Sequence, residues 1–272
     1  MGTAKRERQK QNRAQRREVD ARQFRNSLIK RRIIKWGGIA LAIVVGVFIL
    51  AQVTKDDEEV TSESTTTTTV FSPTPTTPGA KIEGDTPCPK TDGTENRTIT
   101  FAKAPPMCID ATKTYTATFV TSAGEIVVEL DAAKSPITVN NFVTLARYKY
   151  YDSTSFFRTD PSIDIIQGGG QDNSGGPGYT IKDEGTGYTY SEGDLVMART
   201  AAKDSAGAQF FFVTGPKAAG LNSQGTYVVF GRVTSGLDLL KQIMSTHVPM
   251  DNGLGGRPDP EVIVNSVTIA ES

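Results

Sequence analysis

The chain carries one histidine, His247, two cysteines and one tryptophan among 272 residues. His247 falls in a loop-like stretch near the C-terminus. A lone imidazole there argues against Ser-His-Asp and Cys-His catalysis and against multi-histidine metal centres. A phosphate cradle is missing as well. The glycine-rich run 168–178 has no Gly-Lys-Ser/Thr ending, and the run 215–220 continues into Leu221-Asn222, which is wrong for a P-loop. The carboxylate pairs, Asp183-Glu184 and those at 57–59, have nothing set opposite them across a cleft, so they read as solvated loop charges. No charge of either sign is in excess overall, with 30 basic and 30 acidic residues.

That balance conceals an asymmetry. Residues 1–35 hold 13 Lys/Arg against three acidic side chains, a net of +10, which leaves −10 for the rest. Such a tail is either a nucleic-acid arm or the topogenic flank of a membrane segment. The next stretch favours the flank, and no nucleic-acid partner is expected. Residues 36–53 are 18 consecutive uncharged positions, near the short end of a bilayer-spanning helix. Trp36 sits where an interfacial aromatic would, and the basic flank puts the N-terminus in the cytoplasm. The competing reading is a cleaved signal peptide, whose apolar region is shorter and whose basic region is not 35 residues long. A single-pass anchor in contact with lipid, with everything after it outside the cytoplasm, is the expectation. Residues 54–86 are rich in Thr and Pro and bury too little to offset chain entropy, so they read as a disordered tether. Residues 87–112 form an extension carrying Cys88 and Cys108. In an oxidising compartment these pair as a disulfide; otherwise they are two free thiols.

Residues 113–272 are enough for one substantial core. Strands are expected at 115–120 and 125–130 around a hairpin at 121–124. Ser135 reads as an N-cap with Pro136 at the first helical position, giving a helix to about residue 148. Further strands are expected at 163–167, 179–181, 194–198, 209–214, 227–233 and 261–269, with a second helix at 237–244. Short strands with turn signals and two helices predict a mainly β fold, an antiparallel barrel capped by helices.

One constellation remains. Arg158 follows Phe156-Phe157, Gln167 comes nine residues later, and Gln209 abuts Phe210-Phe211-Phe212. An arginine and two amides at the rim of an apolar pocket suit a proline ring and its peptide bond. The motifs run from Ser135 to Val143 (SPITVNNFV) and from Phe156 to Arg158, then through Gln167-Gly-Gly and Gly175-Gly-Pro-Gly-Tyr179. They continue with Asp194 to Thr200 (DLVMART), Ser205 to Phe212 (SAGAQFFF) and Val228 to Val233 (VFGRV after Val228). In this order, over nearly all of 113–272, they resemble the cyclophilins, with wording similar to bacterial members. The resemblance implies a closed eight-stranded antiparallel barrel capped by two helices. It also implies peptidyl-prolyl cis-trans isomerase activity without cofactor or metal. Arg158, Gln167 and Gln209 match the catalytic positions. Phe156, Ile165, Ala198, Arg199, Phe211, Leu221 and Tyr227 match positions that bind substrate. The implied partners are proline-containing polypeptides outside the cytoplasm and a cyclosporin-type ligand. Three positions depart from the family pattern. Phe157 replaces a histidine, the span from Arg158 to Gln167 is one residue longer, and Asp164 falls where a pocket phenylalanine is usual. The departures imply a smaller or more polar pocket, and they motivate an alternative: a tethered proline-binding module with little catalysis.

Overall fold

A computed structural model describes residues 78–171, 175–250 and 255–272. The expected tail 1–35, the expected span 36–53 and the tether up to residue 77 lie outside the described residues. Among the described residues, no helix is long and apolar enough to cross a membrane.

Two short strands, β1 (Ala80–Ile82) and β2 (Thr98–Phe101), pair in parallel ahead of the domain. β1 thus falls inside the stretch read as tether. Next come β3 (Tyr115–Thr121) and β4 (Gly124–Leu130), the expected hairpin, in full antiparallel register. Their alternation is clear: Tyr115, Ala117 and Phe119 on one strand and Ile126, Val128 and Leu130 on the other are buried. The first helix, α1 (Pro136–Arg147), follows.

The N-terminus of α1 corrects one expectation. Ser135 makes no capping bond; its hydroxyl donates to the Val229 carbonyl instead. The cap comes from Glu184, whose two oxygens accept from the amides of Ile137 (2.7 Å) and Thr138 (2.6 Å). A carboxylate there satisfies two orphan donors and opposes the helix dipole. Asp183 is equally committed, to Arg199 at 3.1 Å and to the amide of Asp204. This pair is structural, where solvated loop charge was expected.

The chain continues through β5 (Thr154–Ser155), β6 (Arg158–Asp160), β7 (Ile165–Gly168), β8 (Asp194–Met197) and β9 (Phe210–Val213). A 3-10 turn, Pro216–Leu221, leads into β10 (Val229–Ser235). A second helix, α2 (Leu237–Ser245), precedes β11 (His247–Pro249), β12 (Gly256–Pro258) and the long β13 (Ile263–Glu271). The expected strand at 179–181 does not form; Ile181 makes only an isolated bridge to Ala206.

Eleven of these strands make one curled antiparallel sheet in the order β11-β12-β6-β7-β9-β8-β10-β4-β3-β13-β5. The hydrogen-bonded order is open at both ends and longer than the eight strands expected. Phe156-Phe157 carries the chain directly from β5, beside β13, to β6, beside β7. Aromatic rings fill the concave face. Phe119 lies 5.5 Å from Phe210 and 5.4 Å from Phe212, and Phe142 of α1 stacks on Tyr151 at 5.1 Å. Each such ring, fully buried, contributes roughly 2–3 kcal/mol.

Candidate active site

Four neighbouring strands set out the site. Register places Arg158 of β6 opposite Gln167 of β7, Gln167 opposite Phe211 of β9, and Phe211 opposite Val196 of β8. Side chains alternate across a sheet, so residues two apart share a face. Arg158, Asp160, Ile165, Gln167, Gln209 and Phe211 therefore fall on one face. Thr159, Ile166, Phe210 and Phe212 fall on the other, and all four are buried. The four-residue strand at 210–213 looks uniformly apolar because one parity packs the core while the other floors the site.

Polar contacts then run in series across that face. The Arg158 guanidinium donates from Nη2 to Asp160 Oδ2 at 2.7 Å and from Nη1 to Gln167 Oε1 at 2.9 Å. Gln167 Nε2 donates to Gln209 Oε1 at 2.9 Å, and Gln209 Nε2 to the Gly175 carbonyl at 3.3 Å. Asp160 is itself oriented by the amide and hydroxyl of Ser162. Burial works against its ionisation, but Ser162 and then Arg158 outweigh that and hold its carboxyl below the ordinary value of 3.8. The arginine is thus fixed in a two-point fork, with its side chain still 24% exposed. Asp160 was not among the candidates from sequence. Its i+2 spacing from Arg158 was the available signal, legible only once β6 is known to be a strand.

Beside this series lies a groove of about 350 Å³, lined by Gly175, Gly176, Tyr179, Ala198, Arg199 and Gly207. The Ala198 amide donates to the Gln209 carbonyl, which extends the β8–β9 pairing into the groove floor. The Arg199 guanidinium turns away to Asp183 and to the carbonyls of Thr200 and Ala202.

The apolar part sits around Phe211, which is 3% exposed and has the Tyr227 ring edge-on at 5.7 Å. Tyr227 is held in turn by Tyr190, whose hydroxyl bonds both its amide and its carbonyl. Ile165 lies on the same face, and Leu221 ends the 3-10 turn, partly buried against the core. Phe156 does not join them. It is fully buried against Phe212, 5.8 Å between centroids, and offers no surface to a peptide. Its expected substrate contact is corrected to a role in the core beneath the site.

Asp164 is also displaced from the pocket. It takes φ 50°, and its carboxylate accepts from the Lys217 amide at 2.9 Å and pairs with the Lys217 ammonium at 3.1 Å. Gly215 leaves room for this, since a Cβ there would lie 2.7 Å from Asp164 Oδ2. The β6–β7 hairpin closes through this turn with Arg158 opposite Gln167.

Residues 116–269 match the family described as cyclophilin type peptidyl-prolyl cis-trans isomerase/CLD. The chain belongs to this family. Among curated proteins, this cyclophilin is 42% identical over 124 residues to peptidyl-prolyl cis-trans isomerase B of Bacillus subtilis, covering 44% of this chain and 83% of that one. It is 35% identical over 167 residues to peptidyl-prolyl cis-trans isomerase B of Escherichia coli, covering 57% and 99%. A solved structure of a Cryptosporidium parvum cyclophilin type peptidyl-prolyl cis-trans isomerase aligns at a TM-score of 0.49 and 26% identity, covering 58% of this chain and 99% of that one. The matched residues of the cyclophilin include every element of the site. They leave out β1, β2 and the bonded pair Cys88–Cys108, whose Cα atoms are 5.3 Å apart.

Proposed function

We propose that this protein accelerates cis-trans isomerisation of X-Pro bonds, with Arg158 as the catalytic group. Amide resonance sets a barrier of about 18–20 kcal/mol, and twisting the bond localises a lone pair on the prolyl nitrogen. A donor that strengthens only in the twisted state lowers that barrier. Arg158 is such a donor. Asp160 and Gln167 orient its guanidinium on the same sheet face as Phe211. Phe211, Ile165, Leu221 and Tyr227 hold the proline ring. Gln167, Gln209 and the backbone at Ala198–Arg199 anchor the flanking peptide. No bond is made to the enzyme, and no cofactor takes part.

The observation that carries this reading is the Asp160–Arg158–Gln167–Gln209 series beside Phe211. Asp164, one of the two motives for a binding-only module, is engaged with Lys217 and leaves the pocket apolar. The test is exchange of a short X-Pro peptide with the full chain, followed by NMR. Arg158→Ala is expected to lower turnover about 100-fold or more, with the fold unchanged. Equal exchange with the variant would overturn the assignment.

We also read the curled sheet as a closed barrel. The support is the two-residue step Phe156-Phe157, which joins its two flanks through one stretch of chain. The placement we propose is extracytoplasmic, on a chain anchored by a single membrane span at residues 36–53, with unfolded secreted or membrane proteins as substrates. The charge asymmetry about residues 36–53 and the disulfide support it. A cyclosporin-type ligand would occupy the same apolar face as proline.

A further inference from the structure

The extension that precedes the domain is not idle packing. It reaches the glycine side of the groove at several points. The Phe101 amide donates to the Pro177 carbonyl at 2.7 Å, and the Phe101 ring, 1% exposed, stands edge-on to Tyr179 at 6.2 Å. Between them Gly178 sits at φ 105° with its Cα against the Phe101 carbonyl, where a side chain would collide. Arg97 adds a second hold: its Nη2 donates to the Asp152 carbonyl at 2.9 Å and to Gln171 Oε1 at 2.8 Å.

From there the hold passes along the groove lining. The Tyr179 hydroxyl donates to Asn141 Oδ1 at 2.7 Å, and Asn141 Nδ2 donates at 2.6 Å to the carbonyl of Gly207, which packs beside Pro177 and Tyr179. Burial pushes the Tyr179 phenol far up, so it stays a neutral donor. The far end of the extension is pinned to the same helix. Asn140 accepts from the Cys108 amide and donates to the Pro106 carbonyl, and Tyr148 donates to the Pro87 carbonyl. The Cys88–Cys108 bond ties these two anchor points together.

We infer that Phe101 and Arg97 are positioning residues, through which the disulfide-bonded extension sets the placement of the Gly175–Tyr179 and Gly207 lining of the substrate groove and its grip on residues flanking the proline. This rests on the isomerase reading above. The contacts that hold it run to Pro177, Tyr179, Asp152 and Gln171, so it acts on peptide length and not on the twist itself.

The experiment compares two substrates with the full chain: a blocked X-Pro dipeptide, which reaches only the Arg158–Phe211 end, and a hexapeptide that also fills the groove. Phe101→Ala and Arg97→Gln are expected to raise KM for the hexapeptide about fivefold with kcat within twofold. The dipeptide should be handled as by wild type. Arg97→Lys, which keeps the positive charge and most of the reach, should restore part of the loss. A Cys88→Ser/Cys108→Ser variant should shift the hexapeptide KM in the same direction. Should Phe101→Ala fail to fold, Arg97→Gln decides, with its melting curve recorded alongside. Equal changes for both peptides, or none for either, would overturn the inference. Wild type inactive on both would overturn the isomerase reading beneath it.

Discussion

Asp160 turns a lone arginine into a fixed donor. A free guanidinium over a pocket samples many rotamers, whereas one bonded to Asp160 and Gln167 has given up that entropy before substrate arrives. Asp160→Asn keeps one acceptor but no charge, and we expect a loss in kcat of about tenfold with little change in KM. The pH dependence follows from the carboxyl. Its folded pKa lies below the ordinary 3.8, so its hold on Arg158 is complete above that value and is lost as pH falls through the lower folded value. Turnover of the wild type should therefore fall on that acidic limb, and the Asp160→Asn variant should lack it; identical limbs would remove Asp160 from the mechanism. Arg158, Gln167 and Gln209 were legible in sequence because their order and spacing are a pattern in themselves. Asp160 was not, because Thr-Asp-Pro-Ser reads as a turn unless the strand before it is already known. Phe156 was placed at the substrate for the related reason that an aromatic two residues before Arg158 does not disclose which face it packs.

At the scale of elements, legibility followed length. The seven-residue strands β3 and β4 alternate for long enough to be read, as do the two helices. Strands of two or three residues, such as β5, β6, β11 and β12, have no period to detect and exist because neighbours supply the pairing. The stretch 179–181 was read as a strand from its apolar ends, yet its tyrosine is spent on Phe101 and Asn141 instead of a ladder. The cap of α1 lay beyond local reading altogether, because its acceptor is 47 residues away at Glu184. Glu184→Ala should cost about 1–2 kcal/mol and lower the melting temperature by a few degrees. Ser135→Ala, which loses no cap, should leave the helix end intact and cost only the bond to Val229. Thermal unfolding of the two variants side by side checks the assignment; a larger loss for Ser135→Ala would return the cap to serine.

Across the described residues, one curled sheet with an aromatic interior carries the candidate site on its outer face, and an added strap packs against the segment that lines the groove. The core and its face assignments follow from alternation and register. The strap does not, because its partners are distant backbone carbonyls with no sequence signature. Reduction of Cys88–Cys108 should lower stability by about 3 kcal/mol, the loop-closure entropy of a bridge of this span, and urea unfolding with and without reductant measures it. The measurement that bears most directly on the mechanism is single-turnover isomerisation by Arg158→Lys beside Arg158→Ala. Lysine keeps the charge but concentrates it in a compact ammonium, without the rigid planar fork that Asp160 and Gln167 hold. If the two-point fork is what positions the donor, Arg158→Lys binds peptide yet turns it over nearly as poorly as Arg158→Ala. Turnover restored to near wild type by lysine would mean that charge alone suffices, and the fork between Asp160 and Gln167 would have no catalytic part.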